Sequence, residues 1–109
     1  ELKTYFEKLD TQEFPIKAQH VEDFTDLCNS AIGFALTKKQ PGFVSGEWMI
    51  STSEDGRKFL HLWEKWESST YFAKYMQSPE RAKGSKFELL LREWGAGETK
   101  IYWGVALSV

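Results

Sequence analysis

The spacing of apolar residues along this chain changes repeatedly, and each change predicts an element. Lys3 to Leu9 mixes β-favouring Thr, Tyr, Phe and Leu with charges and reads as a first strand. Asp10 to His20 contains Pro15 and reads as a loop or short extension. From Val21 the period becomes helical: Val21, Phe24, Cys28, Ala31 and Phe34 or Ala35 recur on one side, with Glu22, Asp23 and Asp26 facing away. Acidic residues in the first turn and Lys38-Lys39 near the end suit the helix dipole. Pro41-Gly42 stops the helix.

Phe43 to Ser51 and Lys58 to Trp66 read as the second and third strands, joined by Ser53-Glu54-Asp55-Gly56, where Asp-Gly supplies positive φ angles. An even-numbered hairpin loop puts His61 on one face with Trp48, Ile50, Phe59 and Trp63. A two-residue turn at Asp55-Gly56 then sets Glu47 opposite Glu64, where the paired carboxylates would raise one pKa. Ser68 or Ser69 caps the next helix, whose Tyr71, Phe72, Tyr75 and Met76 form an apolar stripe. Ser78-Pro79-Glu80 looks like a restart, followed by Phe87, Leu90, Leu91 and Trp94 at helical spacing. After Gly95-Ala96-Gly97, Lys100 to Val109 reads as the last strand.

The order is β-α-β-β-α-β, an α+β, ferredoxin-like plan with a four-stranded antiparallel sheet and helices on one face. A chain of 109 residues is expected to form a single domain over 1–109. The third strand, Phe59-Leu60-His61-Leu62-Trp63, is apolar on both faces, and neither face of the fourth reads as wet. Helices cover a sheet once, so the second oily face implies a partner, most simply a homodimer. Aromatic residues at 16%, with five Trp and eight Phe, fit an apolar cavity, a subunit interface, or both.

Other classes drop out. A net charge of −2 with interspersed signs gives no nucleic-acid footprint. No apolar run approaches the roughly 20 residues of a spanning helix and no signal-peptide pattern opens the chain, so no membrane association is expected and the location reads as cytoplasmic. The chain begins at Glu1 without a methionine, which leaves a trimmed leader open. Cys28 falls on an apolar helix side and reads as a buried structural thiol. There is no metal-ligand spacing, and no cofactor is expected.

The landmarks Gln40-Pro41-Gly42-Phe43-Val44-Ser45-Gly46, Trp66-Glu67-Ser68 and Ser78-Pro79-Glu80, in this order of elements, resemble the antibiotic biosynthesis monooxygenase family over about Val21 to Ala82. That resemblance implies a dimeric α+β barrel, in which two ferredoxin-like sheets face each other. It also implies cofactor-independent oxygenation of an aromatic or polycyclic small molecule. In the polyketide-oxidising members the tryptophan of Trp-Glu-Ser is implicated in the reaction, which falls on Trp66. Leu62 stands where those enzymes carry an asparagine, and Phe72 where they carry a tyrosine. The haem-degrading branch is a poorer match, with Tyr75 in place of its tryptophan, Lys83 to Ser85 in place of its histidine, and no asparagine on the first strand.

The candidate catalytic residues are therefore Trp66 and His61, the latter a mid-strand imidazole whose ordinary pKa suits proton transfer near neutrality. Trp48, Trp63, Tyr71 and Tyr75 are the candidate walls of an aromatic substrate site. Two other readings stay open: a cyclase or isomerase using His61 and a tyrosine, and a non-catalytic dimeric module that binds a small molecule.

Overall fold

A computed structural model describes residues 8–105. Its elements are β1 (Lys8–Ile16), a short 3-10 turn (Ala18–His20), α1 (Val21–Asn29), α2 (Phe34–Thr37), β2 (Phe43–Thr52), β3 (Lys58–Trp66), α3 (Ser69–Met76), α4 (Lys86–Trp94) and β4 (Lys100–Val105). The strands form one antiparallel sheet in the order β2-β3-β1-β4, the ferredoxin-like topology that the sequence predicts.

The first strand departs most from expectation. Of the predicted Lys3 to Leu9, residues 3–7 lie outside the described residues, and the strand runs on through the stretch read as a loop. Pro15 does not break it. The Pro15 carbonyl accepts from Ala96 N (2.9 Å), so the backbone groups of this residue point away from β3. The missing N–H is therefore not needed in the ladder where Pro15 pairs with Phe59. On the other side β4 pairs only from Lys8 to Glu13, so the proline sits beyond its reach.

The predicted single helix from Val21 is two pieces. Ser30 Oγ donates to Leu27 O (2.6 Å) and closes α1, and the chain then doubles back through Gly33. A Cβ at Gly33 would lie 2.3 Å from the Cys28 carbonyl and 2.4 Å from that of Leu27, so only glycine passes so close under the helix end.

The helix restart at Ser78-Pro79-Glu80 does not form either. Ser78 Oγ instead donates to Tyr75 O (2.7 Å) at the end of α3, and turns carry the chain to Gly84 at φ +90°. α4 begins seven residues later than expected at its nearest, with Ser85 Oγ accepting from Glu88 N and Glu88 Oε1 accepting from Gly84 N.

The β2–β3 hairpin is wound one residue differently from the two-residue turn. Ser53 N donates to Arg57 O (2.9 Å), leaving three residues, Glu54 to Gly56, at the tip with Gly56 at φ +84°. Every pair shifts accordingly: Glu47 faces Trp63, Trp48 faces Leu62, Met49 faces His61 and Gly46 faces Glu64. The expected Glu47–Glu64 pair does not exist, and Trp48 and Ile50 lie on the opposite face from His61. An irregularity between Phe43 and Ser45 then returns Phe43 to the helix side, opposite Trp66.

On that helix side Leu60, Leu62, Glu64 and Trp66 of β3 alternate as buried residues, beside Asp10, Gln12 and Ile16 of β1. Ile16, Phe24, Cys28, Leu60 and Leu62 form one core cluster, and Trp66, Phe72 and Tyr75 a second. Among the described residues, no helix is long and apolar enough to cross a membrane.

Candidate functional site

Two acids and an amide occupy the wall of the core where a sandwich would normally place aliphatics. Asp10 on β1 lies directly opposite Glu64 on β3, and both are buried. Gln12, two residues along the same face, donates from Nε2 to Asp10 Oδ1 (2.8 Å) and reaches Glu64 Oε1 at 3.4 Å. Trp66 Nε1 donates to the same Glu64 oxygen (3.2 Å). The opposite side of Asp10 is flanked by Trp103 of β4, whose ring meets Phe72 edge-on at 5.1 Å.

Asp10 Oδ2 is buried with no hydrogen-bond donor among the described residues. A bare carboxylate oxygen in such a place costs about 1–3 kcal/mol unless a proton joins it to a neighbour. The Glu64 carboxyl, directly opposite Asp10 on the neighbouring strand, is the group able to supply that proton. Burial and then the Asp10 charge push the Glu64 pKa up to about 8. Burial also raises Asp10 above the usual carboxylate range. Both shifts run in the direction that favours keeping a proton on the pair, on Glu64 above all.

Glu64 is the member that reaches open space. A cavity of about 240 Å³ between the sheet and the helices is walled by Phe14, Phe24, Phe34, Leu60, Leu62 and Ile101, with Gln12, Glu64, Tyr75 and Arg81 as polar groups. A second groove, of about 540 Å³, runs between Asn29, Phe34 and Lys38 on one side and Phe43 to Trp48 on the other. It shares Phe34, Thr37, Leu62 and Glu64 with the inner cavity. Glu64 therefore stands where the groove meets the inner chamber.

The residues singled out from sequence are distributed over both faces of the sheet. Trp66 lies on the helix side but is fully buried, packed edge-on by Phe43 (5.3 Å) and Phe72 (5.7 Å), and touches the cavity only through its bond to Glu64. Tyr75 lines the inner cavity and shares a hydrogen bond with Thr37 Oγ1 (2.8 Å), while burial raises its pKa. Trp48 lines the outer groove against Phe34 (5.2 Å), and Tyr71 packs on the Trp66 cluster under Gly42. His61 and Trp63 are on the far face, stacked at 6.0 Å and continued by Phe59 at 6.1 Å from His61. The sheet separates His61 from Trp66 and from both cavities.

Asp10, Gln12, Thr37 and Arg81 are site residues that sequence reasoning missed. Asp10-x-Gln12-x-Phe14-x-Ile16 is a period-2 pattern with two polar positions, a signal masked by Pro15. Cys28 also borders the cavity; burial lifts its thiol to about 12, which keeps it protonated and unreactive. Among the described residues, no three of His, Cys, Asp and Glu converge as a metal ion requires.

No protein-family model matches the sequence, and no curated protein matches it. Solved structures do match the fold. A conserved protein from Methanosarcina mazei Go1 superposes with a TM-score of 0.70 at 18% identity, over 94% of this chain and 95% of that one. A candidate antibiotic biosynthesis monooxygenase from Nitrosomonas europaea gives 0.67 at 16%, over 94% and 91%. A monooxygenase from the gene ActVA-Orf6 of Streptomyces coelicolor, in complex with nanaomycin D, gives 0.63 at 17%, over 100% and 93%. At these identities the similarity establishes a shared α+β fold.

Proposed function

We propose that this chain is an antibiotic biosynthesis monooxygenase-like protein that oxygenates an electron-rich aromatic small molecule without a cofactor, using the Asp10–Glu64 pair to move the proton. The observation that carries this reading is the buried Asp10–Glu64 carboxyl pair, whose Glu64 member stands in the wall of an aromatic cavity. Such a pair can both accept and return a proton near neutral pH. Similarity in fold to the monooxygenase bound to nanaomycin D supports it as analogy.

The chemistry balances with oxygen as the oxidant. Glu64 takes a proton from an activated CH2 of the substrate while its own proton passes to Asp10, leaving a delocalised carbanion. The carbanion gives its electrons to O2 and forms a C–O bond, and the pair returns a proton to the resulting peroxide. Loss of water, with loss of the remaining hydrogen and scission of the O–O bond, leaves a ketone: CH2 and O2 become C=O and H2O. Trp66 and Gln12 hold the Glu64 carboxyl in place. Leu62, at the position where the resemblance expects an asparagine, is buried between the two cavities. It can supply packing and no hydrogen bond, so polar recognition falls to Glu64 and its neighbours.

The same reading makes the protein a homodimer. Phe59, His61, Trp63 and Met49 lie on the sheet face without helices, and a second copy packed there would cover them. Oxygen uptake with an anthrone, followed at an oxygen electrode in the wild type and in Glu64→Gln, tests the reaction. Uptake abolished by the substitution supports it, and equal uptake by both proteins overturns the role of the pair.

A further inference from the structure

The geometry points to an oxyanion subsite at Arg81, so that the molecule bound in the inner cavity is an aromatic carboxylic acid. This rests on the cavity being the ligand site, and not on the oxygen chemistry. Arg81 is only 9% exposed, an unusual place for a guanidinium. It lies over two rings, with its guanidinium carbon 3.8 Å from the Phe87 centroid and 4.9 Å from that of Tyr75. Its side-chain donors are committed to two backbone carbonyls, Nη2 to Gly33 O (3.0 Å) and Nη1 to Glu80 O (3.2 Å).

What it lacks is a carboxylate within ion-pair distance. Among the described residues no carboxylate makes an ion pair with Arg81, whereas Arg57 and Arg92 on the surface each have one. The carboxyl it shares the cavity with is Glu64, whose Oε1 is taken up by Gln12 and Trp66. A guanidinium carries five N–H donors, and two backbone bonds leave the rest for a ligand. A buried positive charge with free donors beside an apolar chamber is stabilised when an anion arrives and is costly when none does. Carboxylate geometry matches the guanidinium fork, and the aromatic walls match a flat ring system.

The local chain explains why the charge is there at all. The turns after Ser78, closed by Arg81 N and Ala82 N donating to Ser78 O, fold residue 81 inward beneath Gly33. A surface arginine would cost nothing to hold, and this one is fixed by backbone at both Nη atoms before any ligand binds. Preorganisation of that kind is what selects an anion over its neutral isostere.

The test is calorimetric titration of the full chain with 2-naphthoate and with its neutral isostere 2-naphthamide. We expect the acid to bind about tenfold or more tighter than the amide, the range of a charge-assisted hydrogen bond. Arg81→Met should remove the preference, and Arg81→Lys should lose most of it because the fork is gone. If Arg81→Met fails to fold, the wild-type ratio and the lysine variant decide. Equal affinity for acid and amide, no binding of either at millimolar concentration, or a full preference kept in either variant overturns the subsite. A preserved preference in a protein that consumes no oxygen with anthrone or an anthrone carboxylic acid would sink the oxygenase reading and leave the subsite standing.

Discussion

Asp10 and Glu64 face each other across neighbouring strands, both buried, with one oxygen of Asp10 left without a donor unless Glu64 keeps its proton. Stability depends on that proton, and so does the proposed chemistry. A carboxyl whose folded pKa lies above its unfolded value contributes stability that is complete below the unfolded pKa and is lost as pH rises through the folded one. For Glu64 that window runs from its ordinary 4.5 to about 8, and Asp10 is shifted in the same direction. The melting temperature should therefore fall between pH 5 and pH 9 by an amount equivalent to a few kcal/mol. In Glu64→Gln, which keeps the acceptor for Trp66 and Gln12, the profile should flatten. Parallel profiles for the two proteins would show that the pair is not coupled to folding.

Trp66 serves the same carboxyl from within the core. Trp66→Phe removes the Nε1–H bond to Glu64 and opens space between Phe43, Phe72 and Tyr75. Denaturant unfolding should show a loss of about 2 kcal/mol. Anthrone-dependent oxygen uptake should fall in kcat more than in KM, because a ring that orients Glu64 without touching substrate contributes little to binding.

The two sequence landmarks prove to be one joint. Gly42, at φ +82°, offers its carbonyl to Glu67 N (2.8 Å), and a Cβ there would lie 2.2 Å from Tyr71 Cγ. Pro-Gly-Phe and Trp-Glu-Ser thus meet above the buried Trp66. Gly42→Ala should cost more than about 2 kcal/mol by urea denaturation, from backbone strain and the clash together. Gly56→Ala, at φ +84° with nothing nearby, should cost only about 1 kcal/mol. Similar values for both would remove the packing argument for Gly42.

On the far face, Trp63→Glu should convert the proposed dimer into monomers in sedimentation velocity at micromolar concentration, because it places a charge within the Phe59–His61–Trp63 stripe. His61→Ala should leave anthrone oxidation intact, since the sheet lies between it and both cavities. Loss of turnover in His61→Ala would favour the cyclase reading instead.

Topology was legible in the sequence because the period changes and the glycine and proline breaks are local signals. Register was not. One additional residue in the hairpin tip moved Glu47 away from Glu64 and His61 away from Trp48, and nothing in Ser53-Glu54-Asp55-Gly56 alone distinguishes a three-residue tip from a two-residue one. The idea of paired carboxylates survived with a different partner, because Pro15 disguised the strand that carries Asp10. Arg81 was invisible for another reason: Ser78-Pro79-Glu80 resembles a helix start, and only the fold shows turns that tuck the arginine inward. The true start, Ser85-x-x-Glu88, did carry a capping signature that could have been read.

The central claim is the shared proton, and the most direct measurement is the titration of the Glu64 carboxyl carbon by NMR in protein labelled at glutamate. A midpoint near 8 is expected in the wild type, moving down in Asp10→Asn once the neighbouring charge is gone. A wild-type midpoint at the ordinary glutamate value, unmoved by Asp10→Asn, would contradict it.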